Sequence, residues 1–154
     1  MIQVVDNVYE LSNRFFSHST FSTPAVAVFP TPNGPNPHGK APLSLGVQLP
    51  TLDEANAQDV VKVRLNLALN EPGKVYYTVQ AEGVWDKRDD SPQFDLGAWE
   101  TVVCDIALPQ LFAVCKYEQV ALTRSRQLIH ARFSLETEHR FIGDMRQRLR
   151  TENS

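Results

Sequence analysis

Apolar and polar residues alternate most clearly in the middle of the chain. Leu43, Leu45, Val47 and Leu49 are separated by Ser44, Gly46 and Gln48, which predicts a strand over 43–49 with one apolar face. Pro50–Gln58 reads as a polar connector. After it, Val61, Val63, Leu65, Leu67 and Leu69 point one way and Lys62, Arg64 and Asn66 the other, so this strand has one buried and one wet side. Asn70-Glu71-Pro72-Gly73 is a turn, and Lys74–Trp85 returns with Val75, Tyr77, Val79 and Ala81 on one face. Two alternating runs across so short a connection predict an antiparallel hairpin.

The flanks follow other periods. Ile2, Val4, Val8 and Tyr9, then Phe15, Phe16 and Phe21, predict a pair of strands within Met1–Thr23. Residues 24–42 carry six prolines, which fix φ and remove backbone donors, so this stretch reads as a long surface excursion with room for an edge strand at Ala25–Phe29. Asp86–Gln93 reads as a charged loop. From Phe94 onward the period becomes helical: Leu96, Trp99, Val102, Val103, Ile106 and Leu111 recur at three- and four-residue steps, continuing through Phe112, Cys115 and Val120 to Leu122, with Pro109 expected to kink or restart the helix. Arg124–Phe133 reads as a linker. Leu135, Phe141, Ile142, Met145 and Leu149 mark a last amphipathic helix over about 135–150, with Arg146, Arg148 and Arg150 at the negative end of its dipole. The pattern predicts an α+β fold, an antiparallel sheet of about four strands backed by C-terminal helices.

At 154 residues with 42% hydrophobic content, the chain has material for one core, and 1–154 is expected to be a single domain. The net charge of −3 calls for neither nucleic acid nor an anionic membrane as partner. The charge is uneven: residues 1–115 hold seven Lys/Arg against thirteen Asp/Glu, and the remainder eight against five. Cys104 and Cys115, eleven residues apart on one helical stretch, would stand roughly 16 Å apart, too far for a disulfide. Without a signal-like start or an apolar run near eighteen residues, neither secretion nor membrane insertion is expected, and a reducing cytoplasm fits the free thiols.

The chemistry-bearing residues are scattered. His18, His38, His130 and His139 match no metal-ligand spacing, and neither cysteine has the CxxC or adjacent histidine of a metal or redox site. There is no nucleophile elbow, P-loop or dinucleotide fingerprint. Asp86, Asp89, Asp90 and Asp95 lack the spacing and glycine turn of a calcium loop and read as solvated. No enzyme is expected. The aromatics stand out instead: Phe15, Phe16, Phe21 and Phe29 gather beside the proline segment, where they are either core or the lining of an exposed apolar groove. Tyr76 falls on the strand face opposite Tyr77, either flat on a wet surface or buried by another subunit.

The order of elements resembles the SecB family of export chaperones. An opening strand runs into an aromatic segment with prolines (Phe15 to Pro30), then Leu43–Leu49, a polar connector and a hairpin. The hairpin carries Asp59-Val60-Val61-Lys62-Val63-Arg64-Leu65-Asn66-Leu67 and ends in Gly83-Val84-Trp85, similar to the family's glycine-hydrophobic-aromatic ending. Cys104-Asp105-Ile106-Ala107-Leu108-Pro109 resembles the cysteine-to-proline stretch before the family's long helix. The sequence departs at Leu108, where the family has an aromatic, at Gln110–Ala113, and at Thr151–Ser154, which lacks the family's metal-binding tail. The resemblance implies a homo-oligomer, dimer or dimer of dimers, that holds unfolded polypeptide clients in apolar grooves without ATP, nucleotide, metal or other cofactor. It implies Phe15, Phe16, Phe21, Phe29, Tyr76 and Trp85 as groove lining, with Leu43 and Val47 as its floor. The alternative is a non-catalytic structural or adaptor protein, as a phage or accessory component would be, using the same fold to assemble with a folded partner.

Overall fold

The computed structural model describes residues 10–28, 43–71, 74–126 and 135–152. Its centre is a four-stranded antiparallel sheet in the order β1-β4-β3-β2, formed by β1 (Phe16–Val28), β2 (Leu43–Gln48), β3 (Val60–Glu71) and β4 (Lys74–Lys87). β1 and β2, consecutive in the chain, are therefore the two outer strands. The alternation sets the register: Val61, Val63, Leu65 and Leu67 of β3 stand opposite Trp85, Gly83, Ala81 and Val79 of β4, and all are buried on one inner face. Leu45 and Val47 of β2 extend that face opposite Leu67 and Leu65. The outer face carries short polar bridges, Gln80 Nε2 donating to Asn66 Oδ1 at 2.7 Å and Arg64 pairing with Glu82. The α+β class and the antiparallel sheet agree with the sequence pattern.

The helical half begins with α2 (Leu96–Thr101), capped by the Asp95 carboxylate, which accepts from the Ala98 amide at 2.7 Å. It runs through a π-helical segment, Val102–Ala107, into α3 (Leu108–Arg126). Pro109 explains the π turn. It has no amide for the carbonyl four residues back and its ring crowds that carbonyl, while the wider turn lets Leu108 N–H donate to Val103 O, five residues back. The expected kink is thus a widened turn within a continuous helical run. α3 lies across the inner face, burying Leu108, Leu111, Phe112 and Cys115, and its buried Gln119 donates to Tyr77 Oη at 3.0 Å. α4 (Leu135–Glu152) buries Met145 and Leu149 and meets α3 through an edge-on contact of Phe141 with Phe112 at 5.7 Å. Buried Glu100 anchors α4 further, accepting from Arg150 Nε at 2.9 Å and facing Arg146 at 3.5 Å.

Several expectations are corrected. Residues 10–15 are helical, so the opening segment holds one strand rather than two among the described residues; Met1–Tyr9 lie outside them. β1 runs through Pro24, because the proline sits in an edge strand where the register shifts between Ser22 and Ala25 and one extra residue bulges out. Residues 24–28 therefore belong to β1 rather than to an excursion, with Ala25–Val28 in the edge strand expected at Ala25–Phe29, and residues 29–42 lie outside the described residues. The polar connector contains α1 (Leu52–Ala57), started by Thr51, whose Oγ1 accepts from the Glu54 amide. β4 reaches Lys87, shortening the charged loop. The run Leu96–Leu122 is long and apolar enough by composition to cross a bilayer, contrary to expectation, although 61% of its apolar window is buried inside this fold, as in a core helix.

Gly83 marks the tightest point of the inner face. A Cβ there would overlap the Trp85 indole and press on the Phe21 ring. Gly83→Ala is expected to cost about 1–3 kcal/mol, an overpacking penalty, read as a lowered denaturation midpoint with unchanged slope.

Candidate functional site

The expected groove residues separate when placed on the fold. Phe15 and Phe16 are core: Phe15 stacks on Phe94 with centroids 4.6 Å apart, Phe94 in turn meets Trp99 at 5.5 Å, and Phe15 and Phe16 are 2% and 6% exposed. Trp85 is core as well, under the edge of Phe21 at 5.5 Å. The assignment of these three rings to an open groove is corrected: Phe15 and Phe16 belong to the aromatic cluster that seals the end of the sheet between residues 10–15 and α2, and Trp85 is buried on the inner face beneath Phe21. Val47 is half-buried as an extension of the inner face. The side chains of Phe29, Leu43 and Tyr76 lie outside the described residues.

What remains open is a strip along β1. Among the described residues the exposed large apolar side chains are Phe21 and Val26, both 39% exposed, and Tyr117 at 77%. Phe21 and Val26 stand opposite Gly83 and Val79, so they belong to the inner face but lie at its margin. Between them Thr23 donates to Glu118 Oε1 of α3 at 3.5 Å, which bridges strand and helix, and Tyr117 is the residue before that carboxylate. Half-buried Val114 lies one helical turn earlier. The result is an apolar margin between an edge strand and a helix, with one polar bridge across it. β1 is also a thirteen-residue outer strand, and among the described residues no strand pairs with its far edge. Sequence reading missed Val26, hidden in the proline segment, and Tyr117, which falls on the solvent side of an otherwise buried helix.

The titratable groups point away from covalent chemistry. Burial pushes the Cys104 thiol up to about 11, with opposing influences from Arg146 and Asp105, and pushes Cys115 up to about 12. Both are free and buried. The Lys87 ammonium is drawn below its usual value by burial, against the pull of Asp59; it donates to Ala55 O and sits 5.1 Å from the Phe94 ring centre, tying α1 to β4. Among the described residues no group of three His, Cys, Asp or Glu side chains could hold a metal ion.

No protein-family model matches the chain, and no curated protein matches it significantly in sequence. Among solved structures, the chain is similar to a SecB-like chaperone of Mycobacterium tuberculosis, solved in complex with a peptide from an antitoxin. The match covers 84% of this chain and 95% of that one, at 12% identity and a TM-score of 0.46. A likeness at that level assigns neither family nor function by itself.

The thiols give a direct test. Because their folded values lie above the usual 9.0, the unfolded chain loses these protons first as pH rises, so the two thiols favour the folded state fully below about pH 9 and progressively less toward pH 11 to 12. Stability should fall across that window, the fall should be shallower in a Cys104→Ala/Cys115→Ala variant, and a thiol reagent at pH 8 should label neither cysteine until denaturant is added.

Proposed function

We propose that this protein binds unfolded or partly folded polypeptide without ATP, as a holdase-type chaperone, along the apolar margin between β1 and α3. The observation that carries this reading is the grouping of Phe21 and Val26 on one side of an outer strand, beside the Thr23–Glu118 bridge, with Tyr117 exposed on the same helix as Glu118. Exposed apolar side chains confer non-directional burial that tolerates many client sequences, and the acidic first two-thirds of the chain keeps a loaded holder soluble. Phe21, Val26 and Tyr117 are the proposed client contacts. The edge of β1, to which no other described strand pairs, suits antiparallel pairing with a second copy, which would build a homo-oligomer and extend the same apolar strip. No step in this function needs a metal, nucleotide or catalytic residue.

An adaptor role toward a folded partner is the second reading. It is favoured by the outer face, where Ala25, Gly46, Ala68 and Thr78 line a shallow depression of about 420 Å³. Small side chains on a flat face accept a preformed surface more readily than a fluctuating chain.

The discriminating experiment follows aggregation of a chemically denatured client with the protein at equal concentration. The intact protein should suppress light scattering, and Phe21→Asp/Val26→Asp should weaken client affinity by at least about tenfold while remaining folded, since both sites are exposed. Phe16→Asp should instead fail to give soluble protein, because its ring is in the core. Unchanged client aggregation at stoichiometric protein would rule out the holdase, and capture of a folded partner lost on Gly46→Arg would support the adaptor.

A further inference from the structure

α3 is apolar on its outward side as well as on the side that meets the sheet. Leu111, Phe112 and Cys115 are buried, yet Ala113, Tyr117 and Ala121, spaced one turn apart, form an exposed stripe in the opposite direction, bordered by half-buried Val114 and Val120. Between Pro109 and Leu122 the helix carries two charges, Lys116 and Glu118. Both are turned to the flanks and engaged within the chain, Lys116 with Glu138 of α4 and Glu118 with Thr23 of β1. A helix face in water normally collects charged side chains, and a helix that is apolar all round is one covered on both sides. The sheet covers one side of α3. Among the described residues the other side is open, with Tyr117 77% exposed at its middle.

The stripe is complementary to itself. A two-fold, antiparallel crossing at the level of Gln119 sets the large Tyr117 ring of each copy against the small Ala121 of the other, a contact that closes as a dimer. Its size is modest. The 19 residues of α3 make a cylinder about 28 Å long and 10–12 Å across, so one helix laid on another buries roughly 300 Å² per copy, against the ~800 Å² per partner of a stable complex. The pairing is therefore weak and reversible.

We infer that a second copy of this chain covers the outward face of α3, helix on helix, and that this pairing hides Tyr117 from clients. The surface is distinct from the β1 edge. Its effect on clients rests on the holdase reading: one ring cannot pack on a partner helix and hold a client at once. Self-pairing and client binding therefore exclude each other at this position, and client draws the paired form apart by mass action.

Sedimentation velocity on the full chain from about 5 to about 500 μM reads the mass, and fluorescence anisotropy of a labelled, chemically denatured client reads affinity. The comparisons are Ala113→Arg/Ala121→Arg and Ala113→Glu/Ala121→Glu. Both positions are exposed, both replacements are good helix formers, and neither alanine is a proposed client contact. The intact protein should double its apparent mass across the range, while both variants, which put bulk and charge into the contact, should keep the mass of the lowest concentration. At ten times the dissociation constant of the pair about one-fifth of the chains are unpaired, so both variants, whichever their charge, should bind client about fivefold more tightly than the intact protein there. A single mass for the intact protein throughout, or a rise that the variants share, overturns the pairing. Pairing lost in the variants with no gain in client affinity overturns the competition. Failure of all three proteins to bind client at about 5 μM would sink the holdase reading instead, with the mass series still deciding the pairing.

Discussion

One helix covers one sheet, and it is too narrow to do so completely. α3 is 10–12 Å across with its side chains, whereas the axes of four strands span roughly 14 Å before the outer side chains are counted. Centred by Gln119 on Tyr77 and by Cys115 over Leu65, the helix seals β3 and β4 and leaves the margins to be covered by something else. On the β2 side Leu45 and Val47 are half-buried. On the β1 side Phe21 and Val26 keep nearly two-fifths of their surface in solvent. α4 does not relieve this shortfall, since it meets the other flank of α3 at Phe112 and Lys116 and joins α2 through Glu100.

The closed end of the sheet behaves in the opposite way. Phe15, Phe16, Phe94 and Trp99 stack into a continuous aromatic cluster between residues 10–15 and α2, and Asn56 stitches α1 to it by exchanging hydrogen bonds with the Phe94 backbone at 2.7 and 3.1 Å. Four of the chain's fourteen aromatic residues thus go to closing one end of the sheet. The exposed strip is small, two side chains on β1 among the described residues, and a single chain makes a modest binding surface that a second copy would enlarge.

Much of this was legible in the sequence because burial on one face forces a period. The alternation in 43–49, 61–69 and 74–85 defined three strands and their faces, and the stripe from Leu96 to Leu122 and that from Leu135 to Leu149 defined the helices. Local chemistry was harder to read. The helical segment 10–15 contains Ser12 and Asn13, weak helix formers, and is held to the core by Phe15 against Phe94 and by half-buried Leu11. α1 carried a readable signal in Thr51-x-x-Glu54, masked by its polar composition. Pro24 split one outer strand into two readings, a strand ending by Thr23 and an edge strand at Ala25–Phe29, since nothing in the sequence shows the bulge that carries β1 past the proline. The site suffered most: a Phe reads alike whether it faces a core or a groove, and only the register of β1 on β4 separates Phe21 from Phe16.

The most direct test is photo-crosslinking to an unfolded client, with a benzophenone amino acid in place of Phe21 and, separately, in place of Thr78 on the outer face. If the uncovered β1 margin holds polypeptide, position 21 should form client adducts and position 78 should not. Adducts from position 78 alone, or from neither, would contradict the account.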